Sequence, residues 1–340
     1  MSRISIRSWA LLALCLLTAP LSGQESLYSV RGPDAWDGFG ARTLSLGDLD
    51  GDGIQDVAVS SIADQVVRVL SGADGRQLFL LRGPAGFGVS LSAARVDGDA
   101  VPDILVRVAA SATDADRLGE LQMAFSGTDG HLLESRRVPS RAAPTQSHAD
   151  APGRASRAVL AARVQPVGDL DGDGRLDWGA GVPFASAKDG SRAGPGAETL
   201  GRVDIQLTGS PRSGLVLHSG VFGDSFGWSF APAGDVNGDG QADIVVGAPG
   251  DDVAAPDGGA LYTFSGADGQ LLYSIHGDHP GGRLGSSVGG LGDVDGDGRS
   301  DVHASGMQGR YGVLNAYRSP GADAAPTPVS TRSPSLSGTR

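Results

Sequence analysis

The chain has 340 residues, 54 of them Gly, with 5% aromatic residues, one cysteine (Cys15) and a formal net charge of −12. That acidity argues against nucleic acid or an anionic membrane surface as partner, and a lone cysteine excludes both a disulfide framework and a thiolate metal site. Abundant Gly and few aromatics fit many short strands and turns, and the length suits one large β domain.

In chain order, residues 1–23 read as a secretory signal peptide, with Arg3 and Arg7 as its basic start and Trp9 to Leu17 as its apolar run. The run is too short for a membrane span. Cys15 follows Leu14, where a lipoprotein signal wants a small residue. Losing Arg3 and Arg7 moves the net charge from −12 to −14. Next come a short strand, Leu27 to Arg31, and an Asp-rich stretch holding Trp36. An aromatic–Gly pair, Phe39-Gly40, then precedes an acidic loop, Asp48 to Asp56.

That loop, D-x-[DN]-x-D-G-x-x-D, recurs at Asp169 to Asp177, Asp235 to Asp243 and Asp293 to Asp301. A damaged copy runs from Arg95 to Asp103, with Arg95 in the first slot and Ala100 in place of the turn Gly. Carboxylates packed so closely repel one another unless a cation lies among them, and an all-oxygen donor set on a flexible loop favours calcium over magnesium. The candidate ligands are Asp48, Asp50, Asp52, Ile54 and Asp56; Asp169, Asp171, Asp173, Arg175 and Asp177; Asp235, Asn237, Asp239, Gln241 and Asp243; and Asp293, Asp295, Asp297, Arg299 and Asp301. The seventh-position residues Ile54, Arg175, Gln241 and Arg299 would each offer a backbone carbonyl. The damaged copy retains Asp97, Asp99 and Asp103 as a weak or lost site. About four structural calcium ions are therefore expected.

The competing readings are an EF-hand and a metal-free acidic turn. An EF-hand needs a Glu at position 12 and flanking helices. Here position 12 is Val59, Ala180, Val246 or Ala304, and each loop runs into a short apolar strand such as Ile244-Val245-Val246. A bare turn does not require an Asp at position 9 every time.

Around each loop lies a larger unit. The aromatic–Gly pair returns as Phe87-Gly88 and Phe226-Gly227, and more weakly as Leu284-Gly285 and Leu160-Ala161. After the loop come an apolar strand, an alternating strand such as Ala260 to Phe264, a Ser-Gly-x-Asp-Gly turn (71–75, 126–130, 265–269) and a fourth strand such as Leu271 to His276. Four-stranded units repeated at roughly 50 to 70 residues suggest propeller blades. The Phe-Gly pair, the acidic loop and Gly247-Ala248-Pro249 together resemble the FG-GAP repeat of integrin α-subunit propellers and their bacterial relatives, over about residues 26 to 320. The resemblance implies an all-β propeller in which the calcium loops join the first and second strands of each blade.

Five units are counted, near 39–83, 87–137, 160–222, 226–277 and 284–318, where the integrin propeller has seven. The last unit lacks its fourth strand, and Leu27-Tyr28-Ser29-Val30-Arg31-Gly32 closely matches Leu272-Tyr273-Ser274-Ile275-His276-Gly277. The amino-terminal strand is thus expected to complete the last blade of a closed monomer spanning 24–320. The alternative is an open ring that pairs through its edge. Segment 138–157 reads as an exposed insertion and 322–340 as a disordered tail.

No catalytic constellation is visible. The six His form no H-x-x-x-H pair, and neither a G-x-S-x-G elbow nor a phosphate loop occurs. A triad assembled by the fold cannot be read from one sequence. Trp36 is a candidate exposed contact; Trp178 and Trp228 are expected to pack at blade junctions. The reading is an exported binding or adhesion module with an extracellular or envelope protein or glycan as partner, neither membrane-spanning nor an enzyme. A lectin-like propeller and a propeller-scaffold hydrolase or lyase are the alternatives.

Overall fold

The computed structural model describes residues 26–109, 120–138, 163–183, 200–210 and 214–320. The signal peptide, nearly all of the 138–157 insertion and the 322–340 tail lie outside them. Among the described residues there are twenty strands and no helix, in five antiparallel four-stranded sheets.

The first blade comprises β2 (Phe39–Ser45), β3 (Val57–Ser61), β4 (Val66–Leu70) and β5 (Gln77–Arg82). The second has β6 (Phe87–Ala94), β7 (Asp103–Val108), β8 (Glu120–Phe125) and β9 (Leu132–Val138). The third has β10 (Arg163–Gly168), β11 (Asp177–Val182), β12 (Arg202–Gln206) and β13 (Leu215–Leu217). The fourth has β14 (Ser229–Gly234), β15 (Asp243–Ala248), β16 (Ala260–Phe264) and β17 (Leu271–His276). The fifth blade orders β18 (Ser287–Gly292), β19 (Asp301–Gln308) and β20 (Tyr311–Tyr317), and its outer strand is β1 (Ser26–Arg31). The protein is a five-bladed β-propeller whose last blade is completed by the amino-terminal strand. Val30 pairs with Leu314 and Arg31 with Val313, and the Arg31 guanidinium lies 3.4 Å over the Tyr311 ring.

First strands neighbour one another round the axis: β10 beside β14, β14 beside β18, β18 beside β2 and β2 beside β6. The second strands β3 and β15 are covered on both faces and buried at every position, around the apolar runs Val57-Ala58-Val59 and Ile244-Val245-Val246. In four of the five units the first residue of the Phe-Gly or Leu-Gly pair plugs the seam with the preceding blade. Phe87 sits in the core shared by blades one and two, Phe226 in that of three and four, Leu284 in that of four and five, and Phe39 in that of five and one. Phe226 meets Tyr262 and Phe264 edge-on at 5.6 and 5.7 Å.

The seam between blades two and three differs. No apolar core among the described residues spans it, and Leu160, the equivalent plug position, is not one of them. Cross-strand register puts Arg107, Gln122, Glu134 and Arg136 on the outer face of blade two, with Arg107 and Glu120 paired at 3.2 Å. The opposite face of blade three carries Val164, Trp178 and Val216, exposed by 63%, 46% and 62%. Trp178 therefore does not pack in a junction. Trp228 is half-buried, and Trp36 is 67% exposed.

Candidate metal loops

Every acidic loop joins the first and second strands of its blade, at the same end as the turn between third and fourth strands. All five loops therefore lie on one face of the disc. Their folding is dictated locally by the first Asp. Asp48 Oδ1 accepts the N–H of Gly51 (2.6 Å) and Asp52 (3.1 Å), and Oδ2 that of Gly53 (2.9 Å). Asp169, Asp235 and Asp293 make the same three bonds in their loops. The fifth-position carboxylate accepts from the seventh N–H, as Ile54 does to Asp52 and Arg175 to Asp173, each at 2.8 Å; Gln241 pairs likewise with Asp239 and Arg299 with Asp297. The tight path needs the sixth residue at positive φ: Gly53, Gly174, Gly240 and Gly298 have 90°, 83°, 85° and 87°. Ala100 does not adopt positive φ, so the damaged loop follows another course there.

The ninth-position Asp does something the sequence did not disclose. Asp56 is fully buried; its Oδ2 accepts the N–H of Leu49 (2.7 Å) and its Oδ1 that of Gly72 (3.1 Å), in the facing turn. Asp177 ties Leu170 to Thr208, Asp243 ties Val236 to Gly266, and Asp301 ties Val294 to Ser319. Asp103 keeps the same buckle in the damaged loop, from Val96 to Gly127. Burial pushes the carboxyls of Asp56, Asp243 and Asp301 up to about 6 despite these bonds.

Three carboxylates converge, with one oxygen each within 4.8 Å of the others, in four loops: Asp48, Asp50 and Asp56; Asp97, Asp99 and Asp103; Asp169, Asp171 and Asp177; Asp293, Asp295 and Asp297. These clusters could hold metal ions. The Asp235 loop presents no such acidic trio because Asn237 occupies its third position, where its amide donates to Asp239 at 3.0 Å. Asp171 Oδ1 is buried without a hydrogen-bond partner, as a ligand oxygen awaiting a cation would be. Two arginines reach third-position carboxylates: Arg76 to Asp50 at 3.1 Å, and Arg318 to Asp295. In the damaged loop the Thr128 hydroxyl donates to Asp99 at 3.3 Å.

Residues 226–264, in the fourth blade, match the family model described as FG-GAP repeat. That blade is the one whose sequence holds every element of the motif. The structure and this match define the chain as a five-bladed β-propeller carrying an FG-GAP repeat. It is similar to integrin alpha subunits: 31% identical over 187 residues to integrin alpha-V of Gallus gallus, 26% over 230 to integrin alpha-5 of Xenopus laevis, and 27% over 248 to integrin alpha-IIb of Mus musculus. These alignments cover 48%, 64% and 68% of this chain but 16%, 20% and 22% of those proteins. No helix among the described residues is long and apolar enough to cross a membrane.

Proposed function

We propose that this chain is an exported propeller, stiffened by calcium, that acts as a binding or adhesion module for an extracellular or cell-envelope partner. The observation that supports it best is the acidic face: repeated carboxylate clusters on one side of a ring whose sequence is similar to integrin alpha subunits. Calcium fits the donor set. The bonds to Asp48, Asp169, Asp235 and Asp293 pre-fold each loop; Oδ1 of each takes two N–H groups, whereas Oδ2 takes one and keeps a lone pair for an ion. The four intact loops would each take one ion. Neutralising the clusters would remove their mutual repulsion and lock each loop to its blade.

Export is supported by the basic and apolar start of the sequence, Arg3 to Leu17. Without disulfides, calcium would serve as the staple of an extracellular domain. Calcium at millimolar concentration should raise the melting temperature, and excess EGTA should reverse the rise. A melting temperature indifferent to both would refute the calcium reading. A pull-down from cell-envelope extracts, with calcium and EGTA arms, then tests the binding reading.

A second reading, a lectin-like propeller, is favoured by a cavity of about 200 Å³ between blades four and five. Its lining mixes Gln308, Asn315, Asp278 and His279 with Leu284 and Tyr317. Polar groups around an aromatic and an aliphatic side chain suit a single sugar ring. A glycan array with calcium-loaded protein separates the two readings.

A further inference from the structure

The fourth blade holds a polar constellation remote in role from the acidic loops. Ser274 and His276 lie two apart on β17, so both side chains leave the same face of the strand, opposite Tyr262 and Ala260 respectively. Ser274 Oγ is 3.0 Å from His276 Nε2, and His276 Nδ1 is 3.0 Å from Asp251 Oδ1. Asp251 lies just beyond β15, its side chain only 1% exposed. It also accepts the Val253 N–H at 3.0 Å and the Tyr262 hydroxyl at 2.8 Å. The Tyr262 ring stands edge-on to the imidazole, with centroids 5.7 Å apart and planes at 88°.

The order of the nitrogens is what matters. A carboxylate at Nδ1 holds the proton there and leaves Nε2 as the acceptor facing the hydroxyl, which is the arrangement that activates a serine. Burial raises the Asp251 carboxyl, but the bonds and charge of His276 together with the Val253 and Tyr262 bonds outweigh it and hold the group below its ordinary value. A buried Asp251–Tyr262 pair would already satisfy the interior. The further link to a His side chain 15% exposed, and through it to a serine on the outer strand of the sheet, carries the network toward the rim.

We propose that Ser274, His276 and Asp251 form a nucleophilic triad that cleaves small carboxylic esters at the rim of the fourth blade. Ser274 Oγ bonds to the ester carbonyl carbon while its proton passes to Nε2 of His276, and Asp251 stabilises the imidazolium. The tetrahedral adduct collapses, the C–O bond to the alcohol breaks, and the alcohol leaves with the proton from Nε2. Water then attacks the acyl-serine, gives its proton to His276, and the acid departs as Ser274 recovers its hydrogen. β17 is the outer strand of its sheet, and alternate N–H groups of an edge strand point away from the ladder, where they would be open to an oxyanion. Ser274 is only 6% exposed, which restricts the substrate to short acyl groups.

The inference does not rest on the binding reading, and its test is separate. The full chain, with calcium, is incubated with a small alkyl fluorophosphonate and digested for mass spectrometry, and hydrolysis of p-nitrophenyl acetate is followed in parallel. The expected result is one adduct on Ser274, lost in Ser274→Ala and slowed about 100-fold or more in His276→Gln and Asp251→Asn. Circular dichroism verifies that each variant is folded. Absence of a Ser274 adduct on the folded wild-type protein overturns the proposal. So does ester hydrolysis that persists unchanged in folded Ser274→Ala.

Discussion

The ninth-position carboxylates separate two roles that the motif merges. Each joins a loop to the facing turn through one N–H on either side, and Asp103 does so in the copy without a first-position Asp, from part-buried Val96 to buried Gly127. Asp103→Ala should therefore cost about 1–3 kcal/mol, chiefly by stranding the buried Gly127 N–H, even in EGTA. Urea unfolding measures this, and an unchanged midpoint would show that Asp103 is no buckle. The spacing revealed that an Asp stands at position 9. It could not reveal the partner, because Gly72 or Gly127 is brought there only by the folded sheet. His303 offers a second test. It is fully buried on β19, bonded through Nε2 to the Thr43 hydroxyl at 2.9 Å, with Nδ1 unpartnered. Burial holds it down to about 3 against an ordinary 6.5. Between these values the unfolded chain binds more protons than the folded one. His303 thus contributes stability that rises with pH through that window, by up to about 1.4 kcal/mol per unit, and levels off above it. Asp56, Asp224, Asp243 and Asp301, each pushed up to about 6 by burial from an ordinary 3.8, work in the opposite sense between those values. The four carboxyls outweigh the one imidazole, so in metal-free protein the net slope between pH 3.8 and about 6 is negative, and His303→Gln should make it steeper; a profile identical to wild type would contradict the assignment.

At the scale of elements, the strands were legible wherever the acidic loop handed over to an apolar run and wherever Ser-Gly-x-Asp-Gly ended the third strand. The Gly of that turn has a reason visible only in the fold. A Cβ on Gly266 would lie 1.9 Å from the Ala242 carbonyl oxygen, and one on Gly72 would lie 1.9 Å from that of Gln55. Both obstacles are backbone, so Gly266→Ala must push the acidic loop off its turn. A loss of about 1–3 kcal/mol is expected; an unaltered melting temperature would count against this packing. What stayed illegible was the polar side of β17. Ser274 and His276 read as ordinary alternation, since Asp251 lies in a connection with no fixed spacing to the strand.

For the whole molecule, four seams share apolar cores, whereas the described faces of blades two and three present charge on one side and exposed Val164, Trp178 and Val216 on the other. Backbone amides of β8 and β9 should exchange with deuterium faster than those of β15 and β16; equal protection would mean that this seam is as well sealed as the rest. The count of five blades was readable from the loops, and ring completion from the match of Leu27–Gly32 to Leu272–Gly277. The completion has a consequence in time. Ser26 bonds to Ala316 across 290 residues, so the earliest strand has no partner until the last one has been made. Contacts that distant fold slowly. Through synthesis β1 must remain an unclaimed strand, and blade five an unclaimed edge. The protein's most vulnerable moment comes at the end of its manufacture, when an edge from another chain competes with its own beginning.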